Sequence, residues 1–382
     1  MYCKTLFPFS ASDVVAVSPD LGSIAVHRVY DDEIQVAPLS SRAAGATRHP
    51  FGLRTSNGAL ASNNFGRRPL RWSNDSKTLW SAKQERASRV GQAVSPVRPI
   101  RIENGVAYQL PDIRHPVGVM DTLLWAADGR ALALFGTGTD YYVPVPNPDP
   151  SFAFVDAVNG RVLETLPLRE VSPAGDTPSR YSIRGAEVVA RPDGRLRAFI
   201  RTAWRGSSRW TVWTQGESPR FLSDPYPVSS VDRLAAFTNF NVATAISADG
   251  ARLLIARNLR PEVVCIEPAT GCRPASPPVE GVLAALHDLE TGATLWSYRA
   301  RSTNVDQYAR PELSDDGQYA LIGLPASGTP PKYSIALLSP RDGSVQQLFR
   351  LERESTMGFA RNSRSIWITE WGGGITAVYS LR

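Results

Sequence analysis

One short signature returns seven times along this chain and limits its fold more than any other feature. It is clearest at Ser247-Ala248-Asp249-Gly250 and Ser314-Asp315-Asp316-Gly317. A run of apolar, mostly β-branched residues enters an Asp-Gly pair, and a second apolar run leaves it. The other copies are Ser18-Pro19-Asp20, Ser73-Asn74-Asp75-Ser76, Ala127-Asp128-Gly129, Arg191-Pro192-Asp193-Gly194 and a degenerate Arg361-Asn362-Ser363. Gly and Asn accept the positive φ that a tight hairpin needs, so each copy reads as a turn between two antiparallel strands.

The signature residues Asp20, Asp75, Asp128, Asp193, Asp249, Asp316 and Asn362 are separated by 55, 53, 65, 56, 67 and 46 positions. A period near 55 with variable insertions fits four-stranded propeller blades. Helical solenoids are excluded, because apolar stripes of period 3.6 are missing and the chain holds 30 Pro and 29 Gly. The expected fold is therefore all-β: a single seven-bladed β-propeller of four-stranded antiparallel blades over residues 1–382. The blades are placed at residues 13–51, 69–110, 122–166, 187–222, 242–298, 309–349 and 358–380. The last run supplies only three strands, which would leave an open sheet edge. Thr5-Leu6-Phe7 reads like Gln347-Leu348-Phe349, a fourth strand elsewhere. Residues 2–7 are therefore predicted to pair beside Ile375–Ser380 and close the ring.

Composition narrows the function. At 42% hydrophobic and 20% charged the chain is an ordinary globular one. Nothing approaches ~18 consecutive apolar residues, so no membrane span is expected. The 42 basic residues are scattered and offset by 36 acidic ones, which argues against nucleic acid as a partner. The N-terminal stretch lacks a basic start followed by a long apolar run. The expected compartment is the cytoplasm if Met1 is the native start, and the periplasm or exterior if a signal peptide has been removed. The cysteines are Cys3, Cys265 and Cys272, with no C-x-x-C pair for zinc. Cys265 and Cys272 flank the turn-rich Glu267-Pro268-Ala269-Thr270-Gly271. In an oxidising compartment they could bridge a hairpin; otherwise they are two free thiols.

These turns and the strand spacing resemble the bacterial WD40-like propeller superfamily, with TolB-type repeats and the propeller domain of S9 (prolyl-oligopeptidase-like) peptidases as the relatives they suggest. The resemblance spans nearly the whole chain but implies architecture only, because such hairpins serve many unrelated functions. No Gly-x-Ser-x-Gly nucleophile elbow occurs, and no length remains for a hydrolase domain. A second, local stretch, Ala285-Leu286-His287-Asp288-Leu289-Glu290-Thr291-Gly292-Ala293-Thr294-Leu295-Trp296, is similar to one PQQ-type propeller repeat. That resemblance implies a Thr-Gly turn and a Trp296 packed between blades.

Strand order then divides the loops. Within each blade the first and third connections share one face, and they are tight: the signature turns, and Asn104-Gly105, Asn159-Gly160, Gln215-Gly216, Thr291-Gly292 and Asp342-Gly343. The long connections, such as residues 84–98, 136–150, 169–184 and 258–282, emerge opposite. Binding groups usually sit on loops carried by a rigid scaffold, so the long-loop face is the expected working surface. Its candidates begin with Asp140, Tyr141 and Tyr142, in a loop stiffened by Pro144, Pro146, Pro148 and Pro150. Arg67, Arg68, Arg86, Arg89, Tyr181, Trp204, Arg205, Tyr226 and Phe237 share that face, and Tyr, Trp and Arg are the types enriched at binding hot spots. The alternative is that these loops only fold over one another.

The expected function is a non-catalytic scaffold for a protein or peptide partner. The alternative is an enzyme, or an accessory subunit of a hydrolase or oxidoreductase, with a small ligand held at the central channel by Arg71, Asn241, Arg310 and Glu312. His27, His49, His115 and His287 fall in different repeats or connections and suggest no shared site. Gly372-Gly373-Gly374 lacks the Lys-Ser/Thr of a phosphate loop. No catalytic residue, metal or cofactor is expected.

Overall fold

The signature folds as its chemistry dictates. In the computed structural model the described residues are 2–5, 14–28, 33–39, 47–50, 70–84, 97–114, 119–136, 150–172, 183–204, 207–222, 242–257, 263–265, 272–274, 279–302, 311–327, 332–360, 364–370 and 375–381. At Ser18, Ser73, Ser247 and Ser314 the hydroxyl donates to Oδ1 of the Asp two residues on, at 2.5–2.7 Å. The same hydroxyl accepts the N–H five residues on, at 2.8–3.0 Å. The Asp Oδ1 also accepts the N–H of the second residue after it. This ring pairs backbone donors that the turn would otherwise leave open. The copies at Asp128 and Asp193 lack the serine and carry Arg130 and Arg195 two residues later. Each arginine donates its own N–H to Oδ1 and its Nε to Oδ2 of that Asp.

These hairpins build seven four-stranded antiparallel sheets among the described residues. β1 (Tyr2–Thr5) belongs to the last of them. Blade 1 is β2 (Val14–Val17), β3 (Ser23–Arg28), β4 (Glu33–Pro38) and β5 (Thr47–Pro50). Blade 2 is β6 (Arg71–Trp72), β7 (Thr78–Gln84), β8 (Val97–Glu103) and β9 (Val106–Gln109). Blade 3 is β10 (Val119–Trp125), β11 (Arg130–Gly136), β12 (Ser151–Asp156) and β13 (Arg161–Pro167). A single helical turn, α1 (Leu168–Val171), follows it. Blade 4 is β14 (Ile183–Ala190), β15 (Leu196–Trp204), β16 (Ser207–Thr214) and β17 (Arg220–Leu222).

Blade 5 begins with β18 (Val242–Ile246) and β19 (Arg252–Arg257). A separate two-stranded hairpin follows, β20 (Val263–Cys265) and β21 (Cys272–Pro274). The blade resumes with β22 (Val279–Asp288) and β23 (Thr294–Ser302). Blade 6 is β24 (Pro311–Leu313), β25 (Ala320–Ser327), β26 (Lys332–Leu338) and β27 (Val345–Leu351). Blade 7 is β28 (Ser355–Phe359), β29 (Ser365–Glu370), β30 (Ile375–Ser380) and, as its outermost strand, β1. The register Tyr2↔Val378 to Thr5↔Ile375 closes the ring as the sequence predicted, with four residues in the pairing.

The core lies in the seams between blades. Each of the seven seams holds one apolar cluster, from the blade 1–2 seam around Leu79 and Ile100 to the blade 7–1 seam around Ile24, Val26 and Trp367. Phe154 stacks on Trp213 across the blade 3–4 seam, with ring centroids 3.9 Å apart. Polar latches reinforce the seams. Trp72 Nε1 donates to the Ala16 carbonyl, Trp80 Nε1 to Ala127 and Trp296 Nε1 to Pro340. Trp296 thus packs on blade 6, as the PQQ-type spacing implied. Three arginines do the same work: Arg130 reaches the Gly194 carbonyl, Arg197 that of Gly250 and Arg252 that of Gly317, each on the next blade's signature turn.

The structure departs from the sequence reading in three places. Residues 258–282, read as an interrupted connection, contain the β20–β21 hairpin. The connection after blade 3 begins with α1. Trp204, placed among the loops, is the last residue of β15, opposite Ser207.

Candidate functional site

The tight-turn end of the ring spends its polar groups on itself. The Glu290 carboxylate, on the third connection of blade 5, accepts Arg197 Nη1 at 2.6 Å, and Arg191 lies 3.7 Å away. Arg220 of blade 4 donates to the carbonyls of Leu289 and Glu290. Arg195 pairs with Glu217 at 2.5 Å, and the Gly216 N–H donates to Glu164 at 2.7 Å. Three carboxyls at this end, Asp75, Asp193 and Glu290, are held below their ordinary range. The Ser73 hydroxyl, then the Lys77 N–H, lowers Asp75. The Arg195 N–H lowers Asp193, and the Arg197 guanidinium lowers Glu290. A general acid needs the opposite shift, so these three stay ionised at neutral pH.

At the other end two roots are pinned, the return of the 136–150 connection and the start of the connection after blade 3. Leu168 and Val171 of α1 are buried in the blade 3–4 seam. The Thr202 hydroxyl donates to the Val171 carbonyl at 2.5 Å, and the Ser172 hydroxyl to that of Leu168 at 2.9 Å. The Leu168 N–H donates to the Pro150 carbonyl at 2.8 Å. The segment carrying Asp140, Tyr141 and Tyr142 therefore departs from fixed backbone at Gly136 and returns to it at Pro150. In the neighbouring blade 4–5 seam, Glu187 and Arg201 are 6% and 5% exposed. The Thr244 hydroxyl of blade 5 donates to Glu187 at 3.3 Å. The Arg201 guanidinium sits 5.4 Å from the centre of the Trp210 ring, within cation–π range.

Of the residues singled out from the sequence, Arg71 and Glu312 are half-buried on the innermost strands β6 and β24. Those strands belong to blades 2 and 6, which are not neighbours in the ring. Trp204 ends β15. Cys265 and Cys272 stand directly opposite each other in the β20–β21 register. Arg67, Arg68, Arg86, Arg89, Asp140, Tyr141, Tyr142, Tyr181, Arg205, Tyr226, Phe237, Asn241 and Arg310 lie outside the described residues. Among the described residues no helix is long and apolar enough to cross a membrane. Nor, among them, do three His, Cys, Asp or Glu side chains gather where a metal ion could sit.

Sequence reasoning missed two sets of residues. One is the arginine latch, whose only trace is an arginine within three residues after the turn glycine in three successive copies. The other is His287, one of four histidines whose positions in the sequence suggest no shared site. It is 5% exposed and faces the apolar blade 4–5 seam through its register partner Leu253. Its Nδ1 lies 3.2 Å from the Thr294 hydroxyl, and its buried Nε2 meets no partner among the described residues. Burial pushes its pKa down from 6.5 to about 4, so at neutral pH the ring is uncharged.

No protein-family model and no curated protein matches the sequence. Solved structures are similar in shape. The β-propeller domain of Myceliophteria thermophila Cps50 (Swd1) is 12% identical, covers 99% of this chain and 99% of its own, and gives a TM-score of 0.49. KlAtg21, in its complex with the coiled coil of AgAtg16, is 10% identical over 98% of this chain and 95% of its own, with a TM-score of 0.51. Pyrococcus horikoshii acylaminoacyl peptidase is 10% identical over 98% of this chain but only 51% of its own, with a TM-score of 0.47. At these identities the likeness is one of fold, the β-propeller.

Proposed function

We propose that this protein is a non-catalytic scaffold, a WD40-like propeller of the TolB type that binds a protein or peptide partner across its long-loop face. One observation carries the reading: the two ends of the ring differ in what their polar groups do. At the tight-turn end the signature aspartates, the latch arginines and Glu290 are engaged with one another. The opposite end carries the long connections, rich in the residue types that anchor interfaces. Pinned roots at α1 and Pro150 favour presenting such loops at low entropic cost. KlAtg21, which this chain resembles in fold, was solved in complex with the coiled coil of AgAtg16, and this supports reading a ring of this shape as a platform for a protein partner.

The test is affinity capture with the intact chain. Tyr141→Ala combined with Tyr142→Ala, and separately Arg86→Ala with Arg89→Ala, should each weaken retention of the partner at least tenfold. Gln318→Ala with Arg341→Ala, on the tight-turn face, should leave it unchanged. Equal retention by all three variants defeats the proposal. If binding of a small molecule is lost on Arg71→Ala or Glu312→Ala instead, the channel reading with Asn241 and Arg310 replaces it.

A further inference from the structure

Among the described residues the β20–β21 hairpin stands apart from the seven blades, because there its two strands pair only with each other. Its ladder is three residues long: Val263↔Pro274, Val264↔Arg273 and Cys265↔Cys272. Pro274 has no N–H to contribute to that ladder. A two-stranded hairpin of this size is at best marginal in water, so something besides the ladder must hold it. The pair nearest the connecting segment, residues 266–271, consists of two cysteines in direct opposition. Opposed residues of an antiparallel pair have Cα atoms about 4.5 or 5.5 Å apart. Both separations fall inside the range of about 4.4–6.8 Å that a disulfide spans. The remaining cysteine, Cys3, is in the outermost strand of blade 7, two blades away.

We propose that Cys265 and Cys272 form a reversible cross-strand disulfide that fixes this hairpin on the long-loop side of blade 5. The oxidant is a low-molecular-weight disulfide of the glutathione class. One protein thiolate attacks a sulfur of that disulfide and releases one small thiol, leaving a mixed disulfide. The second protein thiolate attacks the protein-side sulfur and releases the other small thiol. Two protein thiols are thereby oxidised, and their two electrons and two protons pass to the small disulfide, which becomes two thiols. A bridge closing so short a loop restricts the open form of the hairpin, so oxidation shifts the segment toward its paired state. The bridge forms whether or not a partner is bound.

The test uses the intact native chain equilibrated with oxidised or reduced glutathione, quenched in acid, alkylated with iodoacetamide and analysed by peptide mass. The oxidised protein should carry one alkyl group, on Cys3, with Cys265 and Cys272 recovered in one disulfide-linked species. The reduced protein should carry three. Cys3→Ser should leave the bridge intact, and Cys272→Ser should convert Cys265 to a glutathione adduct. Limited proteolysis within residues 258–282 should be at least tenfold slower in the oxidised protein. Alkylation of both cysteines under oxidised glutathione, separate adducts on each, or a bridge to Cys3 would overturn the assignment. A bridge that forms without changing the cleavage rate overturns its role in fixing the hairpin.

Discussion

Replacing Gly343 by alanine isolates what one seam contact is worth. Gly343 closes the third connection of blade 6 with φ of 70°. A Cβ there would lie 2.7 Å from Trp296 Cε3 and 2.9 Å from Cδ2. The indole cannot simply yield, because its Nε1 donates to the Pro340 carbonyl at 3.0 Å and its ring is buried in the blade 5–6 seam. Two costs follow. A left-handed conformation for a residue with a side chain costs about 1 kcal/mol. Forcing a methyl into a packed seam costs about 1–3 kcal/mol more. Gly194 provides the control, since its φ is 81° and a Cβ there would meet nothing within 4 Å. Gly194→Ala pays only the first cost. Urea unfolding of both variants, followed by circular dichroism with the slope of the transition checked for constancy, should place Gly343→Ala about 1–3 kcal/mol below Gly194→Ala. Trp296→Ala should make the Gly343→Ala change nearly as mild as the control, because the clash then has no partner. Equal losses in the two glycine variants would refute the assignment of Trp296 as a rigid inter-blade wedge.

Three further outcomes follow from the seams and the ring. The unfolded chain protonates His287 below about pH 6.5, but the native fold does not until about 4, so its contribution is complete above 6.5 and is lost as pH falls toward 4. The loss is about 3 kcal/mol and should be absent from the difference curve of His287→Gln, measured by urea unfolding across that window. Arg197→Met should cost about 2–4 kcal/mol, because Arg197 is 2% exposed and satisfies Gly250, Glu290 and Thr214 together. Arg195→Met, whose partners Asp193 and Glu217 are solvated, should cost clearly less in the same assay. Deleting residues 1–8 removes β1 from β30 and should lower the melting temperature by roughly 5 °C or more; an unchanged melting temperature would show that β1 adds nothing to the ring.

What the sequence reveals about this molecule follows the range of each interaction. The Ser-x-Asp ring at Ser314 closes among Ser314, Asp316, Gln318 and Tyr319, so its pattern is written in consecutive residues and survives as a readable repeat. Trp296 was legible because the stretch Ala285 to Trp296 is similar to one PQQ-type repeat, whose Trp packs between blades, and its Nε1 does donate to Pro340 of blade 6. The Arg197 latch joins residues 53 positions apart, and the offset from its turn glycine differs in each blade, so no local pattern announces it. His287 sits in a strand whose alternation looks ordinary; only the register with Leu253 turns it into the apolar seam. The β20–β21 hairpin has three-residue strands, one ending in Pro274, too short to show a period. The long-loop candidates follow no repeat, so composition and topology identify their face and nothing in the pattern fixes their mutual placement.

The pairing of β1 with β30 also sets an order of events. β1 precedes every other described strand and β30 follows them all, so on the ribosome the first strand of the ring waits for the last. Blades 1 to 6 can fold one after another as they emerge. The seam around Ile24 and Trp367 forms only when blade 7 has been made. Throughout that interval the blades already made form an open arc, and the pairing of β1 with β30 is what turns the arc into a ring.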